Sequence, residues 1–440
     1  MIIGNGTVIT NDEKNTFIED GAILVKGNLI VEVGKFKDLT RKHLDEEVID
    51  VDKKLIMPGF ICAHSHIYSS YARGMKVNKD TSGFLNVLEN LWWNLDKKLT
   101  LEDVKLNAYT TYIESIKNGV TTLIDHHSSP NAIDGSLFKI REAAREIGIR
   151  TSLCYEVTDR DGFDRRDSGI KENIDFIKDC ENDNSDMIKA LFGLHASFTL
   201  SDDTLYKVKE ATNGLSTGFH IHVAEGIYDQ FDSLKKYEKR VVERLFDFNI
   251  LNEKSIAAHC VHVNPLEIEI LKQTNTNVVH NPQSNMNNAV GCPNVLYMIN
   301  KGINVGLGTD AYTNDMFDSM KCANILHKFN TYDNTVGFNE TKKMQFENNP
   351  KLLKNYFKHE LGIIKEGAYA DVVTLSYDPT TPLDESNWFG HLIFGLSGKD
   401  VNDTMVNGKF VMRDREILTV DERRINANSR QRAKEIWKLI

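Results

Sequence analysis

Two histidines one residue apart, His64 and His66, follow an apolar run at residues 60–63. In a β-strand, residues i and i+2 point to the same face, so both imidazoles would project to one side. Two neutral imidazoles on one face suit a divalent transition metal. A His-x-His pair is weak evidence by itself, but later histidines and one aspartate also end apolar runs. The sequence therefore predicts a metal site to which other strands contribute.

The elements that would position these side chains are strands that alternate with helices in the middle of the chain. We predict eight strands, at residues 60–67, 120–125, 149–157, 188–195, 218–223, 255–260, 276–280 and 303–309. Eight alternations over roughly 250 residues are typical of a TIM (β/α)8 barrel, an α/β fold. A doubly wound open sheet is the alternative. It is disfavoured because Gly306 and Gly308 form a G-x-G without the third glycine of a phosphate-binding fingerprint.

Barrel strands are parallel, so their carboxyl ends gather at one mouth, where the active sites of such barrels lie. The side chains that would meet there are His64, His66, His195, His222, His259, His280 and Asp310. A structural role could explain any one histidine at a strand end. Six strand ends that all carry such residues favour a functional site.

Both ends of the chain are rich in short strands and turns. We predict that residues 1–57 form the first part of a small β-sandwich domain, and that 362–440 form its second part and a C-terminal helix. Residues 58–361 would be the catalytic barrel domain. Asn407-Gly408 predicts a hairpin turn. A capping-box-like start at Thr100 predicts a helix that runs to Lys117.

The composition is that of a globular protein, with 41% hydrophobic and 26% charged residues. A formal net charge of −10 disfavours nucleic acid and anionic membranes as partners, since both require a basic surface. No apolar stretch approaches the roughly 20 residues that cross a bilayer, and the first residues do not resemble a signal peptide. The six cysteines form no C-x-x-C pair, so we expect a cytoplasmic protein without a disulfide framework.

Several segments together resemble the amidohydrolase superfamily. They are residues 58–66 (PGFICAHSH), 222–225 (HVAE), 258–260 (AHC), 308–310 (GTD) and 365–373 (KEGAYADVV). The resemblance covers nearly the whole chain and is strongest to the branch of cytosine deaminase, guanine deaminase and the chlorohydrolases. Within that branch, the chain is similar to the SsnA group of aminohydrolases through residues 71–75 (YARGM), 91–96 (LWWNLD), 380–383 (TTPL) and 390–395 (GHLIFG).

The resemblance implies that one divalent metal ion, most often zinc and sometimes iron, is bound by His64, His66, His222 and Asp310. Three imidazoles and a carboxylate leave a coordination position open for water, and these ligand types also admit manganese. The metal lowers the pKa of that water from about 15.7 toward ~7, which gives hydroxide at neutral pH. Binuclear relatives add a carboxylated lysine at the end of strand 4. We expect a mononuclear site because Lys189 comes too early in that strand.

The resemblance also implies roles for residues around the metal. Glu225 lies three residues after His222, as the general acid/base does in the deaminases, and would pass a proton from water to the departing nitrogen. His259 would hydrogen-bond the hydroxide and the developing oxyanion, and Asp310 would act as a base. His195 corresponds to a substrate-facing residue.

Other histidines favour structural interpretations. His220 shares a strand face with His222 but lies about 6.6 Å earlier along the strand. This position favours core packing or a hydrogen bond to a ligand over direct ligation. His126 and His127 are neighbours after a strand and are interpreted as loop structure. Whether His280 contacts substrate is left open.

Two loop regions contain further residues that could contact a substrate. Trp92 and Trp93 fall in an apolar run with helical spacing, which favours core or lid packing. Arg73 could bind a substrate anion or lie on the surface. The segments 68–98 and 311–350 would decide which substrate is bound.

We therefore predict a metal-dependent aminohydrolase, a deaminase in which metal-bound hydroxide attacks an amidine-like carbon of a nitrogen heterocycle and ammonia is released. Hydrolysis of a cyclic amide or of a chloro group on the same scaffold is the alternative among enzymes. A non-catalytic metal-binding accessory protein is the alternative of another class, although Glu225 and His259 would be unnecessary for it. The expected partners are a small-molecule substrate and further copies of the chain, in a homodimer or larger homo-oligomer.

Overall fold

Strands lie at both ends of the chain and alternate with helices between them in the computed structural model, which describes residues 1–14 and 16–440. The strands are β1 (Ile2–Ile9), β2 (Phe17–Lys26), β3 (Leu29–Lys35), β4 (Val48–Asp50), β5 (Leu55–Pro58), β6 (Phe60–Ser65), β7 (Val120–Asp125), β8 (Arg150–Leu153), β9 (Ile188–Ala190), β10 (Phe192–Ala196), β11 (Phe219–Val223), β12 (Ile256–His259), β13 (Asn277–His280), β14 (Val305–Leu307), β15 (Val372–Leu375), β16 (Val401–Val406), β17 (Lys409–Arg413) and β18 (Glu416–Ile417).

Helices fill most of the connections between these strands. They are α1 (Phe36–Lys42), α2 (Phe84–Val87), α3 (Trp93–Asp96), α4 (Leu101–Lys117), α5 (Ser136–Ile147), α6 (Phe163–Glu181), α7 (Asp202–Ala211), α8 (Ile227–Tyr237), α9 (Val241–Asp247), α10 (Pro265–Gln273), α11 (Pro282–Asn287), α12 (Val295–Asn300), α13 (Met316–Thr331), α14 (Phe338–Lys343), α15 (Asn349–Leu353), α16 (Trp388–Gly395) and α17 (Glu422–Trp437). A π-helical turn at Leu88–Trp92 joins α2 to α3. Among the described residues, no helix combines the length and the apolar character that a membrane crossing needs.

The middle strands form two parallel sheets, in the orders β6-β7-β8-β9 and β10-β11-β12-β13-β14. Only Leu191 separates β9 from β10. Isolated parallel bridges join Val157 to Leu194 and Ser65 to Asp310. Each of the eight predicted strands is present, the fourth of them divided into β9 and β10. Their carboxyl ends therefore lie on one side of the molecule.

The predicted helix after Thr100 is confirmed as α4. The Thr100 hydroxyl accepts from the backbone N–H of Asp103, and the Asp103 carboxylate accepts from the backbone N–H of Thr100. This reciprocal pair satisfies two N–H groups that a helix start otherwise leaves free. Gly119 follows the helix with φ +79°, a conformation that glycine adopts without steric cost.

The strands at the two ends of the chain pair into one nine-stranded sheet, in the order β18-β17-β16-β15-β5-β1-β2-β3, with β4 also paired to β1. The N-terminal and C-terminal segments of this sheet pair where β15 runs antiparallel to β5. The predicted Asn407-Gly408 hairpin connects β16 to β17, and both turn residues have positive φ, as a two-residue hairpin of this type requires.

A buried arginine in β8 connects the parallel strands to the end sheet. Arg150 donates to the two carboxylate oxygens of Asp371, at 3.0 and 3.2 Å, and to the backbone carbonyl of Asp186. Its guanidinium lies 4.2 Å from the ring centroid of Tyr369. Every charge at this junction therefore has a partner.

Candidate metal centre and active site

The four predicted ligand side chains converge at the carboxyl ends of the parallel strands. His64 is in β6, His66 follows it, His222 is in β11, and Asp310 lies three residues after β14. The backbone N–H groups of Thr309 and Asp310 both donate to the carbonyl of His64 at 3.0 Å, which connects the first strand to the last. Asp310 Oδ1 lies 3.1 Å from His66 Nε2 and 3.8 Å from His64 Nε2. His66 Nε2 lies 3.1 Å from His222 Nε2.

Hydrogen bonds behind the rings determine which nitrogen atoms carry hydrogen. His66 Nδ1 lies 2.6 Å from the carbonyl oxygen of His126, and His222 Nδ1 lies 2.9 Å from the carbonyl oxygen of His195. A carbonyl oxygen only accepts, so each Nδ1 donates and each ring presents its Nε2 on the opposite side. These two Nε2 atoms face each other at 3.1 Å. The buried Nε2 of His64 has no hydrogen-bond partner among the described residues. Ring nitrogens that converge in this way beside a carboxylate form a site that suits a cation.

The spacing of the donor atoms fits a divalent ion. Metal–ligand bonds of about 2.0–2.1 Å in a tetrahedron place neighbouring ligand atoms about 3.3 Å apart. The separations of 3.1, 3.1 and 3.8 Å bracket that value. Three imidazole nitrogens and one carboxylate oxygen form a donor set that zinc, iron and manganese accept. The residues present therefore fit a divalent metal ion.

A second group of polar side chains faces the ligands from the ends of β11 and β12. His259 Nε2 lies 3.6 Å from Glu225 Oε2 and 3.6 Å from Asp310 Oδ2. The side-chain oxygen of Asn285 lies 2.7 Å from His259 Nδ1 and orients the ring. Asn288 donates to Glu225 Oε1 at 3.2 Å. The predicted acid/base and the predicted oxyanion-binding histidine thus lie beside the carboxylate of Asp310.

The backbone is strained at this end of the strands. His259 has φ +72°, Asp310 has φ +55°, and Ala224, next to Glu225, has φ +46°. A non-glycine residue in this region costs about 1–3 kcal/mol, and such residues cluster at functional sites. The strain turns side chains at three strand ends toward a common centre.

Burial and neighbouring charges shift the pKa values in directions that suit these roles. Burial raises the pKa of Glu225, so its carboxylate takes up a proton more readily than a solvated one. Burial lowers the pKa of His64 and of His222 well below the ordinary value, which favours the neutral ring that binds a metal. Burial opposes the ionised form of Asp310, but the hydrogen bond and charge of His66 outweigh it and lower this pKa.

A cavity lies above the cluster, and the helical segment of residues 84–96 covers it. Phe84 of this segment packs against Gly226, where a Cβ atom would lie 2.5 Å from the ring. Side chains of the covering segment and of the strand ends both line the cavity, among them Trp92, Trp93, His195, Phe198 and Glu225. The two tryptophans therefore belong to a lid, and His195 faces the space below it.

His220 lies behind the ligands and does not join them. Its Nε2 is 2.8 Å from His64 Nδ1, so of the two interpretations left open by the sequence, the hydrogen bond to a predicted ligand fits. His126 and His127 do follow a strand, but their interpretation as loop structure missed their burial. Both are fully buried, and His126 Nε2 lies 3.0 Å from the carbonyl oxygens of Leu194 and His220.

Glu156 was not predicted from the sequence as a site residue, yet it lines the cavity and is only 2% exposed. Its Oε2 lies 3.2 Å from His126 Nδ1, and its Oε1 lies 3.8 Å from His195 Nε2. The available signal was a carboxylate near the end of the apolar run at 149–157.

The sequence leaves the roles of His280 and Arg73 open. His280 is buried at the end of β13, neither of its ring nitrogens has a hydrogen-bond partner in the described part of the chain, and its ring centroid lies 5.1 Å from that of His327. Arg73 pairs with Glu114 at 2.7 Å, and its side chain is 68% exposed. The surface interpretation of Arg73 therefore fits.

Comparisons with known proteins identify the family of the chain. The model of the Amidohydrolase family matches residues 55–411. The chain is 34% identical over 418 residues to the 5-methylthioadenosine/S-adenosylhomocysteine deaminase of Thermococcus sibiricus, which covers 94% of each chain. It is 31% identical over 444 residues to the 5'-deoxyadenosine deaminase of Methanosarcina barkeri, which covers 99% of this chain and 98% of that one.

Its fold matches the crystal structure of an adenosine deaminase from Xanthomonas campestris with bound zinc. The TM-score is 0.87 at 21% identity, over 100% of this chain and 98% of that one. The family model and both relatives span most of the chain, as the resemblance of its motifs predicts. The chain belongs to the amidohydrolase family.

Proposed function

We propose that this protein is a metal-dependent aminohydrolase that converts an amidine-like carbon of a nitrogen heterocycle to a carbonyl and releases ammonia. The observation that carries the proposal is the convergence of His66 Nε2 and His222 Nε2 at 3.1 Å, beside Asp310 and the unpartnered Nε2 of His64. A divalent ion held by these four side chains, zinc in this proposal, would supply Lewis-acid activation of water. Iron and manganese suit the same ligands.

The surrounding residues supply the proton transfers. Glu225 would take a proton from the attacking water at Oε2 and give it to the departing amino nitrogen. A carboxylate whose pKa is raised by burial suits both halves of that task. His259, with Nε2 3.6 Å from the carboxylates of Glu225 and Asp310, would donate to the oxygen on which charge develops. The sum is water plus an amino-substituted ring, giving ammonia plus the oxo-substituted ring.

The proposed substrate is a purine or pyrimidine that carries an exocyclic amino group. Two observations support a flat aromatic substrate. The names of the relatives refer to adenine nucleosides and their derivatives, and Trp93 and Phe198 line the cavity with ring centroids 6.5 Å apart at a tilt of 30°. His195, whose ring centroid lies 5.9 Å from that of Trp93, would contact this substrate.

The architecture proposed for this activity is a closed eight-stranded TIM barrel made of β6–β14. The single residue between β9 and β10 and the bridge from Ser65 to Asp310 support closure of the two parallel sheets into one. The nine-stranded sheet supports a small second domain from residues 1–57 and 362–440. We further propose a cytoplasmic homodimer or larger homo-oligomer, which light scattering of the purified protein would test.

Elemental analysis of the purified protein, followed by a screen for ammonia release from aminated purines and pyrimidines, tests the proposed function. We expect about one zinc, iron or manganese per chain and ammonia from at least one heterocycle. Absence of metal from protein purified without chelators, or release of chloride from chlorotriazines without any ammonia release, would overturn the proposal.

A further inference from the structure

Glu156 is a second carboxylate that lines the cavity, and its neighbours differ from those of Glu225. The ligand-type groups around Glu156 are His66, His126 and His222, whereas those around Glu225 are His259 and Asp310. The proposed reaction assigns no step to Glu156, although it is 2% exposed and lines the cavity. Burial of a carboxylate without full hydrogen bonding destabilises the fold. We therefore expect this side chain to have a functional role.

The backbone holds Glu156 in one place. Its N–H donates to the carbonyl of His127 at 2.8 Å. The residues on either side form isolated parallel bridges, Tyr155 with His127 and Val157 with Leu194. The carboxylate is therefore held on a rigid wall of the cavity, as a recognition group requires.

The immediate neighbours of the carboxylate leave it short of donors. Its two ion-pair partners within residues 1–14 and 16–440 are the imidazoles of His126 and His195, and neither is a lysine or arginine. The buried Oε2 has no hydrogen bond of acceptable geometry in the same part of the chain, and neither does the facing Nδ1 of His126. Because Oε2 is buried against His126, the oxygen that a ligand in the cavity could meet is Oε1, which lies beside His195.

His195 adds a second acceptor beside the first. The Thr199 hydroxyl donates its only hydrogen to the carbonyl of Ala196 at 3.1 Å. Its oxygen lies 2.7 Å from His195 Nδ1, so Nδ1 donates to it and the neutral ring keeps its lone pair on Nε2. That Nε2 lies 3.8 Å from Glu156 Oε1. Two acceptors therefore stand side by side and face the cavity.

We propose that Glu156 is a specificity-determining residue, which together with His195 Nε2 accepts hydrogen bonds from ring N–H groups of the substrate. The proposal rests on the proposed function and defines the substrate of the same site more narrowly. A site built to accept from an N–H group discriminates strongly against an analogue that lacks it, because the buried acceptor is then left unpaired.

This pairing distinguishes two kinds of aminated base. The ring nitrogens of an adenine nucleoside only accept, because its N9 bears the sugar, so its departing amino group is the sole N–H donor on the base. A free amino-oxo base such as guanine or cytosine has at least one ring N–H in addition to its amino group. Glu156 therefore favours a free amino-oxo base over the nucleosides for which the relatives are named.

Calorimetric binding to zinc-loaded protein that carries Glu225→Gln tests the proposal, because the ligand is then not consumed. Guanine should bind at least ten times more tightly than 5'-deoxyadenosine. Adding Glu156→Gln should weaken guanine binding by roughly 10- to 100-fold, the range expected for a lost hydrogen bond to a charged group. Binding of 5'-deoxyadenosine should change less than threefold. Glu172→Gln is the matched control, since Glu172 is also buried but accepts from the backbone of Gly135 and Leu137.

A ligand-side measurement keeps the test independent of the folding of the Glu156 variant. Among 1-methyl-, 7-methyl- and 9-methylguanine, at least one should bind tenfold more weakly than guanine to protein with Glu156, because methylation removes a donor. Failure of guanine to bind, equal affinity for guanine and all three methylated bases, or equal loss of both ligands in Glu156→Gln would overturn the proposal. Ammonia release from 5'-deoxyadenosine alone, with Glu225 intact, would overturn this inference and leave the proposed function standing. Selective guanine binding without ammonia release from any heterocycle would overturn the proposed function and leave this inference about binding standing.

Discussion

Two regions of this protein bury several polar groups each, and these groups are paired in one region and partly unpaired in the other. At the junction with the end sheet, Arg150 has both oxygens of Asp371, the carbonyl of Asp186 and the face of Tyr369 as partners. At the carboxyl ends of the parallel strands, buried nitrogens such as His64 Nε2 have no hydrogen-bond partner in the described part of the chain.

Backbone conformation does not separate the two regions. Asp186 and Asn407 at the junction have positive φ, as His259 and Asp310 do at the strand ends, so the difference lies in the pairing of side chains. A protein gains stability by pairing the polar groups that it buries and loses stability by leaving them unpaired or strained. The difference therefore marks the junction as structural and the strand ends as a place where a ligand completes the bonding.

The largest expected effect is the loss of one ligand at the strand ends. His222→Ala should reduce zinc content below one tenth of an ion per chain and lower kcat/KM for ammonia release at least 10⁴-fold, because substrate and water are no longer activated. If the site serves function more than stability, the unfolding free energy of the metal-free variant should lie within about 1 kcal/mol of metal-free wild type.

Metal removal from the wild type provides the control. Dialysis against a chelator should abolish ammonia release and lower the melting temperature, because an ion that binds only the folded state stabilises it. Added zinc should restore both properties in the wild type and neither in His222→Ala. Full activity of chelated protein would contradict the assignment of the metal.

The next effect is expected at a residue that touches the reacting atoms and not the metal. Glu225→Gln should keep the metal content of wild type and lower kcat for ammonia release by about 10³-fold, since it removes the proton carrier. Melting temperature should change little or rise, because burial disfavours the carboxylate form. Unchanged turnover would remove Glu225 from the mechanism.

At the paired junction the expected effect is on stability and not on chemistry. Asp371→Asn removes the charge partner of Arg150, whose side chain is fully buried, and should lower the unfolding free energy by about 3 kcal/mol. This lies at the low end of the range for breaking a buried pair, because Arg150 also donates to Asp186 and Asn407. The kcat per folded molecule should stay within twofold of wild type, as chemical denaturation and ammonia release would show.

The exposed pair of Arg73 and Glu114 is the matched control for that measurement. Its arginine side chain is 68% exposed, and exposed pairs contribute about 0–1 kcal/mol. Arg73→Ala should therefore cost at most about 1 kcal/mol. A comparable loss of unfolding free energy in both variants would mean that the buried Arg150–Asp371 pair stabilises the fold no more than an exposed pair does.

The same contrast explains what the sequence could predict. Short apolar runs that end in histidine or aspartate predict strand positions and convergence, because parallel strands place their carboxyl ends together. The eight strands and the meeting of His64, His66, His222 and Asp310 were predictable for this reason. The capping pair of Thr100 and Asp103 is local in sequence, so the start of α4 was predictable as well.

Features that depend on contacts between distant segments were not predictable. The burial of His126 depends on carbonyl oxygens of Leu194 and His220, which lie 68 and 94 residues away. Glu156 gains its position from His127 and Leu194 across neighbouring strands. The nine-stranded end sheet pairs residues 55–58 with 372–375, and no local pattern encodes that register.

The smallest effect is expected at His220. Its side chain is paired, as at the junction, but it lies directly behind a predicted metal ligand at the strand ends. Its Nε2 is 2.8 Å from His64 Nδ1, so it can accept the hydrogen of that nitrogen and leave the opposite nitrogen of His64 free for the metal. His220→Leu conserves volume but removes the acceptor, and should weaken zinc binding about 10- to 30-fold in a chelator competition assay, within the range for such supporting partners.

His220→Gln separates support of the ligand from mere filling of space. A glutamine side chain keeps an acceptor oxygen, so it should recover at least half of the lost binding free energy, whereas leucine recovers none. Both variants should denature within about 1.5 kcal/mol of the metal-free wild type, as volume-conserving changes in a core do. Equal zinc affinities in the two variants would show that His220 acts through packing alone, and would place it with Arg150 among the residues that hold the fold.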